Sequence, residues 1–173
     1  MSRTKSWTKL WCRNRTSVFD GCTFRGVRFN ASTHTDSAFL NCTFRACTFF
    51  DTTFTRCKLV GSTFDRCTFS SLSAQGGDWS FAGLAGADLR KVRFEGARLR
   101  EADLTDVRAE GTSMREVDLT GAWLHGANLS RTDLRGAVLA TVDPTTVTLR
   151  DAVIGPEQAV EIATALGLDV RID

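Results

Sequence analysis

A chain of 173 residues, 42% hydrophobic and 24% charged, is long enough for one domain with a continuous core and has the composition of an ordinary soluble protein. It holds no run of about 18 apolar residues that could cross a bilayer, and its first residues lack the apolar stretch of a secretion signal, so a cytoplasmic location is expected. The formal charge of +2 conceals an asymmetry: residues 1–60 carry 10 Lys/Arg against 3 Asp/Glu, and residues 61–173 carry 12 against 17.

In chain order, the basic excess begins in residues 1–16, where Arg3, Lys5, Lys9, Arg13 and Arg15 stand without an acid. Two readings are open for this segment: a solvated basic arm or cap, or a contact to a phosphate backbone. Trp7 and Trp11 are placed to cover an open sheet edge at the start of the regular chain.

Residues 17–155 repeat every five. Counted from Phe19 to Ile154, the frame gives 28 quintets without an insertion; the central position is Phe ten times and Leu eleven times, with His34, Ala74, Ala109 and Pro144 as the polar or small exceptions. The position two before the centre is small or short-branched everywhere except Leu72, and Gly falls two after the centre ten times. A period of five matches neither the 3.6 of a helix nor the 2 of a strand, so the chain must turn at every repeat to keep these residues inside. Centre and minus-two residues point inward as alternate residues of a short extended segment do, and the Gly position supplies the corner. Four quintets close a coil of twenty residues. The frame predicts about seven coils stacked at roughly 4.8 Å into a rod of about 34 Å, with a core ladder through Phe19, Phe24, Phe44, Phe64, Leu84, Leu104 and Leu124.

After Ile154 the period stops at Gly155-Pro156. Pro156 and Glu157 read as a helix start, and Ala159, Ile162, Ala163 and Leu166 follow at helical spacing before the stop at Gly167. Leu168, Val170 and Ile172 alternate with charged residues, which predicts a brief strand. So short a helix must bury its apolar face, either on the last coil of its own chain or against a second copy in a two-fold dimer.

Cys12, Cys22, Cys42, Cys47, Cys57 and Cys67 all occupy the minus-two position. They read as core fillers; Cys-x2-Cys zinc pairs are absent, and disulfides are not expected in a reducing compartment. His34 reads as a satisfied polar interruption of the core and His125 as a surface residue. No catalytic triad, paired carboxylates, phosphate loop or dinucleotide fingerprint is recognisable, and a filled rod offers no cleft to desolvate a reacting group. No enzyme activity, cofactor, metal or small-molecule substrate is expected.

The quintets Cys42-Thr43-Phe44-Arg45-Ala46, Ala87-Asp88-Leu89-Arg90-Lys91 and Ala127-Asn128-Leu129-Ser130-Arg131 resemble those of the pentapeptide-repeat family, over about four fifths of the chain. That resemblance implies an all-β solenoid, a right-handed quadrilateral β-helix with a short C-terminal helix. Val142-Asp143-Pro144, Gln158-Ala159-Val160 and Ala165-Leu166-Gly167-Leu168, with the uninterrupted frame, are similar to the MfpA type of mycobacterial fluoroquinolone-resistance protein and more distant from the Qnr group, whose coils carry loops. The similarity implies a rod that imitates duplex DNA, binds DNA gyrase or topoisomerase IV and confers fluoroquinolone or natural-toxin resistance. It also favours a homodimer through residues 156–173, with Ala159, Ile162, Ala163, Leu166, Leu168 and Val170 at the interface.

Sorting outward charges by side tests the mimicry independently. The side built from residues 82–86, 102–106, 122–126 and 142–146 carries Asp103, Asp106 and Asp143 and no Lys or Arg, whereas its N-terminal part holds Arg25, Arg45 and Arg66 against Asp65. The expected gyrase-facing strip is therefore Asp103, Asp106 and Asp143. Two other partner classes are open: a different protein recognised by the rod, and DNA bound by the basic N-terminal region.

Overall fold

The computed structural model describes residues 13–171 of the chain; the readings of Trp7, Trp11, Cys12 and Ile172 lie outside that range. The protein is a β-solenoid with parallel pairing at a constant register. On one side Arg13 pairs with Thr33, Thr33 with Thr53, Thr53 with Ser73, Ser73 with Arg93, Arg93 with Ser113, Ser113 with Asp133 and Asp133 with Val153. Twenty residues therefore complete one coil, four quintets to a coil. We number the faces by their centres: face 1 runs from Phe19 and Phe39, face 2 from Phe24 and Phe44, face 3 from Phe29 and Phe49, face 4 from His34 and Phe54.

Corners follow the frame. The residue two after each centre, from Thr16 to Asp151, takes a positive φ in every case except Lys91, Thr141 and Thr146. Gly fills many of these positions, but Arg66 and Phe81 also adopt the left-handed region, which costs an L-residue about 1–2 kcal/mol.

The inward pattern puts the core ladder where the period places it: Phe24, Phe44, Phe64, Leu84, Leu104 and Leu124 are buried, and Phe19, on the first described coil, is half-buried. Rings stack from coil to coil, Phe24 on Phe44 at 5.0 Å and Phe44 on Phe64 at 4.8 Å between centroids. Where the centre shrinks to Ala74 or Ala109, the minus-two residue grows to Leu72 or Val107, and all four are buried. The one large minus-two residue is thus a size exchange within its own quintet.

Two kinds of corner alternate with the identity of the centre. Behind every Leu centre, from Leu59 to Leu149, the carbonyl accepts the amide three residues on, as in Leu84 from Ala87 at 3.0 Å and Leu129 from Thr132 at 3.1 Å. Where the third residue has a positive φ, at all of these corners but those of Leu89 and Leu139, this is the pattern of a type II turn. No such bond closes behind a Phe centre, and except at Phe29, which a turn at Asn30 and Ala31 follows, the Phe centres lie in strands, longest in Thr48–Thr55 and Thr68–Gln75. Phe carbonyls on the early coils accept instead from minus-two side chains of the following coil: Phe24 from Cys47 Sγ at 3.3 Å, Phe39 from Ser62 Oγ at 2.8 Å, Phe44 from Cys67 Sγ at 3.3 Å, and Phe29 from Thr52 Oγ1. The thiols are hydrogen-bond donors as well as fillers, and the five described cysteines are free.

His34 stacks on Phe54 at 4.8 Å and is fully buried. Its Nε2 meets Ser32 Oγ at 3.1 Å, but Nδ1 has no partner, so the interruption is only half satisfied.

The helix α1 (Pro156–Ala165) closes the rod. Gln158 fixes it: its Oε1 accepts the Gly155 amide at 2.7 Å and its Nε2 donates to Ala137 O at 3.1 Å, while Glu161 accepts the Leu139 amide at 2.9 Å. The face against the coil is therefore that of Gln158 and the half-buried Ile162, because these carbonyl and amide groups of the last coils need polar partners. Ala163 is half-buried, and Ala159, Leu166, Leu168 and Val170 are exposed. The strand expected beyond Gly167 does not form over residues 168–171: the segment pairs with no neighbouring strand, and alternation alone supplies no ladder.

Candidate functional site

Outward residues sit one before and one after each centre, so every face presents two ladders of side chains. In the ladder one before the centre, the C-terminal coils carry six aspartates: Asp78, Asp88, Asp103, Asp118, Asp133 and Asp143. Four of them are ion-paired. Asp78 lies 3.9 Å from Arg98; Asp88 meets Arg90 at 2.6 Å and Arg108 at 3.1 Å; Asp118 meets Arg100; Asp133 meets Arg135 at 2.7 Å. The two without a cationic partner among the described residues are Asp103 and Asp143, both on face 2.

The cause is local sequence. On faces 3 and 4 Arg90 and Arg135 stand two positions beyond Asp88 and Asp133, and on face 1 Arg98 and Arg100 of the intervening coil reach Asp78 and Asp118. On face 2 the position after the centre is held by Ala85, Thr105, His125 and Thr145. Asp103 accepts only the Thr105 amide at 3.1 Å; Asp143 accepts the Thr145 hydroxyl at 2.6 Å and amide at 2.9 Å. The Thr145 hydroxyl, then its amide, hold the Asp143 carboxyl below the usual carboxylate range. Those donors are neutral, so the negative charge is retained. By contrast, the Arg90 guanidinium pulls Asp88 down to about 2 while cancelling its charge. Asp106, at the corner, is exposed and lies over Gly126, where any Cβ would collide with its carboxylate.

Face 2 thus holds the three sequence-predicted carboxylates on one side, Asp103 and Asp106 on one coil and Asp143 two coils on, with Asp103 half-buried and Asp106 and Asp143 exposed. Its other end gathers Arg25, Arg45 and Arg66 around one groove, with Asp65 2.9 Å from Arg45 and 3.5 Å from Arg66. Sequence reasoning missed Trp123, the residue between Asp103 and Asp143 in the same ladder, paired to Asp103 and 65% exposed. Its position one before the centre was enough to mark it as outward.

Other concavities are open grooves between charged side chains, one of them lined by Ser71, Lys91, Arg93, Arg115 and Arg131 among others. Among the described residues no three His, Cys, Asp or Glu converge as metal ligands, and no helix is long and apolar enough to cross a membrane.

Family comparisons agree with this architecture. A model of the pentapeptide repeat region matches residues 47–124, and a model of eight pentapeptide repeats matches residues 112–143. No curated protein sequence matches the chain. Among solved structures, a trypsin-treated variant of QnrB1, a plasmid-mediated fluoroquinolone resistance protein, aligns with TM-score 0.64 at 19% identity over 98% of both chains. The pentapeptide repeat protein Rfr23 from the cyanobacterium Cyanothece 51142 aligns at 14% identity over 88% of both chains, with TM-score 0.37. At such identities the likeness to QnrB1 is one of fold.

Proposed function

Because this chain belongs to the pentapeptide-repeat family, we propose that it is a binding protein that imitates duplex DNA, interacts with DNA gyrase or topoisomerase IV and inhibits or protects it, giving fluoroquinolone or natural-toxin resistance. One observation carries the reading: of the six aspartates in the ladder one before the centre, the two without an ion pair, Asp103 and Asp143, share a single face of the rod, which carries Asp106 and no Lys or Arg over the same coils. A DNA-binding saddle is built for a duplex with one charge per about 1.7 Å, and an anionic strip on a narrow rod can occupy part of it. With three carboxylates instead of a full backbone, binding is weak and falls steeply with salt. The fold shared with QnrB1, a fluoroquinolone resistance protein, supports the same class of role.

A second copy extends the strip. Leu166, Leu168 and Val170 are 53%, 61% and 39% exposed beside Ala159, an apolar surface at the C-terminal end of the rod that a two-fold partner would cover. End-to-end association brings two anionic strips toward the centre and leaves the basic ends at the tips. Sedimentation of the wild type and of Leu166→Asp tests the dimer, with the variant expected to be monomeric. Binding of gyrase subunits tests the partner: retention should fall when Asp103, Asp106 and Asp143 are changed together to Asn. Equal retention would move the interface to another face.

A further inference from the structure

Trp123 is large, aromatic and 65% exposed, and nothing in the family frame requires it to be so. Its backbone is an ordinary rung: the Trp123 amide donates to Ala102 O at 2.9 Å, and Trp123 O accepts the Leu104 amide at 2.8 Å. The ring therefore stands out from a rigid sheet on a fixed backbone. Its neighbours explain why it is uncovered. The coil two below offers only Gly83, Ala85 and Gly86 on this face, and no Lys or Arg occurs on the face from residue 82 to 146 to lie over the ring. Asp103 pairs with it one coil below, Asp143 stands one coil above, and His125 follows two residues on in the same coil. Phe81, at the corner leading into the same face, is 54% exposed.

An exposed indole between two uncancelled carboxylates has a defined complement. A guanidinium is planar, weakly hydrated and rich in N–H donors, so it can lie flat on the indole while its edges meet carboxylates on either side. A phosphate-bearing partner is disfavoured by the same carboxylates. Trp is also the side chain most often found as the anchor of a protein interface, where burial of a large rigid ring adds to charge.

We propose that Trp123 is the anchoring residue of face 2 and receives an arginine side chain of the partner protein, with Asp103 and Asp143 accepting its outer N–H groups. This builds on the role proposed for the face, but the chemistry can be probed without the topoisomerase. The experiment uses the full chain carrying Trp7→Phe and Trp11→Phe, so that emission comes from Trp79, 1% exposed, and from Trp123. It is titrated with a hexa-arginine peptide, with a hexa-lysine peptide and with intact gyrase.

The expected result is a saturable change of emission with hexa-arginine, weaker with hexa-lysine, and a change with gyrase that Trp123→Ala abolishes. Trp123→Ala should weaken gyrase binding about tenfold or more while leaving its salt dependence intact; Asp103→Asn with Asp143→Asn should flatten the salt dependence. Trp123→Phe, which keeps a ring, should restore part of the affinity and controls for folding. A response to hexa-arginine without one to gyrase upholds the anchor and removes the topoisomerase reading. Unchanged gyrase affinity in Trp123→Ala, or no response to either probe, overturns the anchor. So does an emission change that depends on protein concentration alone and is lost in Arg45→Glu, since a second copy would then cover the face.

Discussion

The Phe-centred coils and the Leu-centred coils obey one period but hold their corners differently. Under a Phe centre the corner has no closing backbone bond, and on the early coils the centre carbonyl accepts a thiol or hydroxyl from the next coil, as Phe39 does from Ser62 at 2.8 Å. Under a Leu centre the backbone closes its own corner, and the minus-two position is free to be Ala or Val, as at Ala87, Ala127 and Val107. Side-chain identity, not place along the rod, selects the corner. Leu59 closes a turn onto Ser62 at 3.1 Å among the Phe coils, and Phe94, far into the Leu coils, stays in the strand Val92–Glu95 with no closing bond. Small polar residues at the minus-two position are thus the complement of Phe19, Phe24, Phe29, Phe39 and Phe44, whose carbonyls they satisfy.

The comparison can be broken most forcefully in the Phe ladder. Phe44→Ala removes a fully buried ring stacked between Phe24 and Phe64 and should cost about 3–5 kcal/mol, measured by urea denaturation. Leu104→Phe, the opposite exchange in a packed Leu coil, should cost about 1–3 kcal/mol through overpacking, and less if the corner behind it opens.

Next in size is acid. Burial lowers the His34 pKa from 6.5 to about 4. The unfolded chain therefore takes up the proton first, so stability is complete above pH 6.5 and declines as pH falls toward 4, by about 3 kcal/mol in total. Thermal unfolding across that range should show the loss, and His34→Phe, which continues the ladder, should remove this component.

Smaller effects test the corners themselves. Ser62→Ala strips donors and acceptors from Phe39 O and from the Cys42 amide, 3.0 Å away, and should cost about 1–3 kcal/mol, whereas Ala127→Ser in a Leu coil gains nothing comparable. Phe94→Leu should close the corner there, read as slowed hydrogen exchange at the Ala97 amide. The smallest change is Arg66→Gly, which relieves a left-handed residue and should stabilise by up to about 1 kcal/mol in the same urea assay.

Much of this was legible because a five-residue period has one economical solution. Phe19 through Leu124 were identified as core from spacing alone, and Asp103, Asp106 and Asp143 were assigned to one side by counting in twenties. What spacing could not carry was chemistry between coils. The cysteines were read as fillers because their donor role depends on which carbonyls the corners leave open. The inner face of the helix is chosen by Gln158 and Glu161 reaching backbone groups, which a hydrophobic stripe through Ala159 and Leu166 does not reveal. Trp123 bears no charge, so sorting charges by side does not mark it, although its place one before the centre makes it outward.

The central claim is that uncancelled charge on face 2 makes the functional surface. Gyrase supercoiling, with and without a quinolone, measures it directly when the wild type is compared with Asp103→Asn/Asp106→Asn/Asp143→Asn and with Asp88→Asn/Asp133→Asn on the ion-paired faces. The wild type and the second variant should inhibit or protect alike, and the first should lose the effect. A wild type without effect at any concentration, or equal loss in both variants, would contradict it.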